Sequence, residues 1–192
     1  AKQKKDPFFK LSKLQGFRSR SAFKLIEMNK KFKIFKKKLS VLDLGSSPGG
    51  WSQVARREIS EGKILAVDIK FMDEIRNVDF IKGNFMENEI SKNIKDYFNN
   101  KVDVVMSDMS VNTSGNKNLD SYKTGELCLK SMDLAIDILH QEGVFLSKIF
   151  MGSIYSEINE KAEKYFKKVI KFKPTSSKKE SKEIYIYCKG FL

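Results

Sequence analysis

The chain has 192 residues, 41% of them hydrophobic and 32% charged, with a formal net charge of +13. That composition builds one full core and excludes a disordered chain, and no run approaches the ~18 apolar residues of a membrane span. Two cysteines 60 positions apart, with no Cys/His cluster, exclude a disulfide framework and a zinc site, and point to a reducing compartment.

The first stretch, about residues 1–17, is a basic arm with no clear period. "SRSAFKLIEMNKKFKIF" then reads as a helix, with Ser19 or Ser21 as its cap. "VLDL" is a strand. The helix after it, from about Gly50 to Ser60, puts Trp51, Val54, Ala55 and Ile59 on one face. "ILAVD" is the second strand, "DFIKG" a short third, and "VDVVMSD" a fourth entered after the polar "DYFNNK". A loop, "MSVNTSGNKNLDSY", leads into a long helix up to about His140. That histidine is expected at the helix end rather than in catalysis. "GVFLSKI" is the fifth strand, and helix, strand, turn and strand follow, ending in "EIYIYCKGF".

Strands alternating with helices predict an α/β fold with a mainly parallel sheet, formed as one domain over residues 1–192. The last two strands, joined across "KPTSSKKESK", predict an antiparallel hairpin at the sheet edge. The cysteine usage fits the inside of a cell, with mitochondrion, another organelle, cytoplasm and nucleolus left open. A monomer is expected.

The charge is unevenly spread. Residues 1–38 carry net +12, residues 39–160 net −6, and residues 161–192 net +7. Two basic ends around an acidic centre predict a polyanionic partner, RNA or DNA, with Arg18 and Arg20 as phosphate contacts because a guanidinium can bond phosphate bidentately. A membrane partner is not expected, since no long basic amphipathic helix with apolar anchors is evident.

Ligands of open α/β sheets bind beyond the carboxyl ends of the strands, and the first such end is "DLGSSPGGW". A P-loop needs a lysine where Trp51 stands, and a dinucleotide fingerprint needs glycine where Ser47 stands. A glycine turn without a phosphate lysine suits S-adenosylmethionine, whose carboxylate can sit at a helix N-terminus. Its amine and sulfonium need acceptors, which Asp43 and Asp108 supply. Asp68, ending the second strand, can accept from both ribose hydroxyls. A lysine inside "GVFLSKIF" is costly unless Lys148 is paired or snorkels to water.

The stretches "DPFFK", "GFRSRSAFKL", "VLDLGSSPGGWSQ", "VDFIKGNF", "VVMSDMS", "GVFLSKIF" and "SKEIYIY" together resemble the FtsJ family of ribose 2′-O-methyltransferases over nearly the whole chain. The resemblance implies a Rossmann-like methyltransferase fold. It also implies a Lys-Asp-Lys-Glu tetrad on Lys24, Asp108, Lys148 and Glu183, and cofactor contacts from Asp43, Gly45, Gly50, Trp51, Asp68, Asn84 and Asp108. Two positions depart from the family. Asn84 stands where an acid commonly contacts adenosine, and Val111 where proline commonly follows. The implied substrate is a uridine of large-subunit ribosomal RNA, free or in a ribosomal subunit. A tRNA-directed enzyme or a non-catalytic RNA-binding scaffold are the alternatives.

Methyl transfer to a hydroxyl gains from a base at the oxygen. Lys148 can act so once deprotonated, which burial and the Lys24 charge favour and Asp108 and Glu183 oppose. Left protonated, it would instead stabilise the developing alkoxide.

Overall fold

The computed structural model describes residues 6–99, 101–112, 114–152 and 154–192, so Ala1–Lys5 of the basic arm lie outside the described residues. Strands β1 (Val41–Leu44), β2 (Ile64–Asp68), β3 (Asp79–Lys82), β4 (Val102–Ser107) and β5 (Leu139–Phe150) run parallel in the order β3-β2-β1-β4-β5. The expected hairpin of β6 (Phe166–Phe172) and β7 (Glu183–Phe191) closes that edge, with β7 antiparallel to both neighbours and placed inside β6. Between β1 and β4 the strand order reverses, which opens a crevice above the carboxyl ends.

Apolar runs such as "VLDL" form inner strands because both faces are covered: every residue of β1 is buried. One face packs against α2 (Ala22–Phe32) and α3 (Gly50–Glu58) through Leu25, Met28, Trp51 and Val54. The other packs against α4 (Asn88–Phe98), α5 (Lys117–Ile138) and α6 (Tyr155–Tyr165) through Ile94, Met132 and Ile158. Each such side chain, fully buried, is worth roughly 1.5–3 kcal/mol.

Three expectations need correction. The arm is not without structure, since Pro7–Leu14 forms α1, with Asp6 as its cap accepting from Phe8 N and Phe9 N. Helix α4 runs through "NEISKNIKDYF", where only a polar approach to β4 was expected. Its apolar face is narrow, with Ile94 and Phe98 the residues fully committed to the core. Helix α5 stops at Ile138, and His140 belongs to β5, exposed near its start. The physical reason is pairing: Leu139 already faces Val102 in extended geometry, and the register shifts before Val104.

Candidate active site

Lys148 lies in β5 on the face shared with Val144 and Leu146, directly opposite Tyr185 of β7. At 7% exposed it does not snorkel to solvent. Its Nζ instead donates to the Asp108 carbonyl at 3.0 Å and lies 3.2 Å from Asp108 Oδ1. Asp108 follows the last residue of β4, so the pair is set by the β4–β5 register, Ser107 against Ser147.

A second pair stands beside it. Lys24, in the first turn of α2, meets Glu183 at 2.5 Å, with side chains 9% and 11% exposed. Burial by itself would raise the Glu183 carboxyl. The Lys24 ammonium outweighs burial by charge and hydrogen bond, Lys148 adds to it, and the carboxyl ends below its usual range. Charges at this depth stay because they are paired.

Tyr185 links the two pairs, and sequence reasoning missed it. Its hydroxyl donates to Asp108 Oδ1 at 2.5 Å, while Lys24 Nζ lies 6.0 Å from its ring centroid. Burial, then the charges of Asp108 and Glu183, push the phenol well above its ordinary range, so it stays a donor. The signal was present in "EIYIY": Tyr185 is two residues past Glu183 and therefore on the same strand face. Lys24, Asp108, Lys148, Glu183 and Tyr185 thus form one buried polar cluster at the carboxyl end of the sheet.

A cleft of about 530 Å³ opens next to this cluster, lined among others by Gly45, Asp68, Asn84, Met86, Asp108 and Met109. That is a size suited to a small-molecule ligand. Asp68 accepts from Ser47 N at 2.8 Å and Lys70 N at 2.7 Å, which aims its carboxylate and leaves lone pairs free. Asn84 accepts from Met86 N at 3.0 Å through Oδ1. Gly45 has φ +72°, and a Cβ there would strike the Met109 side chain at the cleft wall.

Asp43 lies beneath the cleft, not in its lining, and is 1% exposed. Its Oδ2 accepts from Ser52 Oγ at 2.6 Å, and its Oδ1 has no partner among the described residues. Burial, opposed by the Ser52 bond and aided by the charges of Asp108 and Asp68, pushes its carboxyl up to about 7.

Two expected cofactor residues serve packing. The Trp51 indole is 2% exposed and donates to Ser21 O at 3.0 Å, so what Trp51 can offer a ligand is its backbone in the first turn of α3. A Cβ on Gly50 would come within 2.2 Å of Ser19 Oγ, so its glycine lets α3 approach the entrance of α2.

The two arginines expected to meet phosphate already have protein partners. Arg18 donates to the carbonyls of Pro48, Asp73 and Glu74, at 3.2, 2.6 and 2.7 Å. Arg20 pairs with Asp6 and donates to Ser176 O at 2.6 Å. Both guanidinium groups thus help hold loops, each with N–H donors left over. Among the described residues no three His, Cys, Asp or Glu side chains converge on a metal site, and no helix is long and apolar enough to cross a membrane. The thiols of Cys128, pushed up to about 12, and Cys188, well above its usual value, are raised by burial and unreactive.

A family model described as FtsJ-like methyltransferase matches residues 17–191. The chain is 50% identical over 188 residues to the ribosomal RNA large subunit methyltransferase E of Pelagibacter ubique, covering 98% of this chain and 93% of that one. It is 44% identical to the protein of the same name from Ehrlichia chaffeensis, over 99% of this chain and 91% of that one. A solved structure from Plasmodium falciparum, described as a ribosomal RNA methyltransferase, superposes with a TM-score of 0.83 at 32% identity, covering 92% of this chain and 99% of that one.

Proposed function

This chain belongs to the FtsJ-like methyltransferase family, and we propose that it moves a methyl group from S-adenosylmethionine to a ribose 2′-hydroxyl of large-subunit ribosomal RNA, at a uridine. The observation that carries the reading is the convergence of two lysine–carboxylate pairs, Lys24–Glu183 and Lys148–Asp108, beside a cleft of ligand size. The names of the two relatives support ribosomal RNA as the substrate class.

The cleft suits the proposed cofactor in size and in the chemistry of its lining. Asp68 would accept from the ribose hydroxyls, and Asn84, at the end of the neighbouring strand β3, would border the base. Asp108 would face the cationic end, and Asp43, beneath the cleft, has an oxygen without a partner among the described residues. When bound, the cofactor would supply an electrophilic sulfonium methyl.

The rest is the work of this chain's residues. Lys148 is within reach of the cleft through Asp108, which lines it. As a free amine it would take the proton from the ribose oxygen as that oxygen is methylated. The resulting ammonium would be held by Asp108, whose Oδ1 also accepts from the Tyr185 hydroxyl. Lys24 and Glu183 shape the field around the same point. Excluding water and aligning methyl and oxygen lowers the barrier further.

Mapping 2′-O-methyl groups in ribosomal RNA from cells with and without the protein tests this. One large-subunit uridine should lose its methyl group. A loss confined to transfer RNA, or no loss at all, overturns the substrate assignment.

A further inference from the structure

We propose that the connection from Pro174 to Lys182 is a rigid phosphate clamp that holds the RNA strand beside the buried cluster. The proposal rests on the reading of this chain as an RNA methyltransferase. Arg20 and Glu27 flank Lys24 at spacings of four and three residues, so all three project to one side of α2 and its entrance. Glu27 accepts from Thr175 N at 2.7 Å, from Ser176 N at 3.3 Å and from Ser176 Oγ at 3.2 Å, while Arg20 donates to Ser176 O at 2.6 Å. The segment is therefore pinned to the helix that carries Lys24.

Its other end is pinned to the strand that carries Lys148. Met151, just past β5, donates its N–H to Lys182 O at 3.4 Å. Lys173 Nζ donates to the carbonyls of Ser181 and Glu183. Between these anchors lie two hydrogen-bonded turns, Ser177 N to Pro174 O at 3.1 Å and Ser181 N to Lys178 O at 3.0 Å. A connection tied at both ends and folded inside has little freedom left to lose on binding.

What it presents outward is charge. Lys178, Lys179 and Lys182 are exposed and take part in no salt bridge among the described residues, and Lys182 adjoins Glu183 of the cluster. A surface run of lysines is usually only a solvated face. Anchoring to the elements that carry Lys24 and Lys148 sets this one apart, because it fixes the backbone from which the three lysines extend. A target ribose at Lys148 brings its flanking phosphates to that rim. Lysine meets phosphate as a point charge and reads no base, so the clamp grips the backbone and leaves the choice of nucleotide to other contacts.

The test is the salt dependence of binding to a single-stranded RNA oligonucleotide. The triple change Lys178→Gln, Lys179→Gln and Lys182→Gln should weaken binding and reduce the slope of log K against log salt by up to about 2, at about 0.7 for each phosphate no longer neutralised. Affinity for S-adenosylhomocysteine should not change. The control pair Lys63→Gln and Lys101→Gln, before β2 and β4 at the opposite end of the sheet, should leave the slope as it is. An unchanged slope in the triple variant, or an equal fall in the control, overturns the clamp. The slope needs no methyl transfer. A wild-type protein that binds RNA with the expected slope but methylates no ribose would overturn the activity and leave the clamp standing.

Discussion

Tyr185 donates to Asp108 Oδ1 across 2.5 Å, and the same oxygen lies 3.2 Å from Lys148 Nζ. The phenol is fully buried, so the bond has no competition from water. Tyr185→Phe should cost about 1.5–3 kcal/mol of stability, the range for a hydrogen bond to a charged group. Methyl transfer should fall by less than about tenfold, because Lys148 still bonds Asp108 directly. Urea denaturation and single-turnover transfer measure the two effects. An unchanged midpoint would remove Tyr185 from the cluster's support.

Lys148→Ala should fold, keep its affinity for S-adenosylhomocysteine, and lose a factor of ~10²–10⁴ in transfer rate. Lys148→Arg should not restore the rate, since a guanidinium does not release its proton near neutral pH. Partial rescue by arginine would instead assign Lys148 the role of a fixed cation. Near-wild-type transfer by Lys148→Ala would exclude both roles.

Asp68→Ala should weaken binding of S-adenosylhomocysteine by about 1.5–3 kcal/mol for each hydrogen bond to the ribose that it removes. The carboxylate also holds Ser47 N and Lys70 N, so part of the loss comes from the turn. Asp68→Asn keeps one acceptor and should lose less than alanine. Calorimetry that gives both variants wild-type affinity would place the ribose elsewhere.

Asp43 makes stability depend on pH. Its carboxyl titrates at about 7 in the fold against 3.8 in the unfolded chain. Below pH 3.8 both states hold the proton and the contribution is fully present. From there to about pH 7 only the unfolded state ionises, so this contribution is lost as pH rises. The loss amounts to about 4 kcal/mol at ~1.36 kcal/mol for each pH unit. Asp43→Asn should therefore gain on the wild type progressively between pH 4 and 7, as read from paired denaturation curves. A difference that is flat across that range would show the carboxylate to be ionised throughout.

Much of the fold was legible in the chain because its cues are local. Short, mostly apolar runs bounded by turns make inner strands, which is why β1, β2 and β4 lie where "VLDL", "ILAVD" and "VDVVMSD" predict, β4 ending one residue earlier at Ser107. The weak cues failed. Helix α1 is settled by the Asp6 cap and its packing on α2, where Phe8 lies 5.6 Å from Phe23. Helix α4 fully buries Ile94 and Phe98, with Ile90 and Tyr97 partly packed beside them, too narrow a stripe to stand out among polar neighbours.

The candidate site divides along the same line. The residue types of the tetrad, and the local motifs that hold them, are properties of the sequence. That Lys148 meets Asp108, 40 positions away, is decided by the pairing of β4 with β5, and that Lys24 meets Glu183, 159 positions away, by the insertion of β7 beside β5. The same long-range packing gives Tyr185 its acid, engages Arg18 and Arg20 with carbonyls that no local pattern reveals, and ties Ser176 to Glu27 across 149 positions. A side chain's chemistry is written at its own position, but its partner is chosen by whatever the buried core brings within about 3 Å.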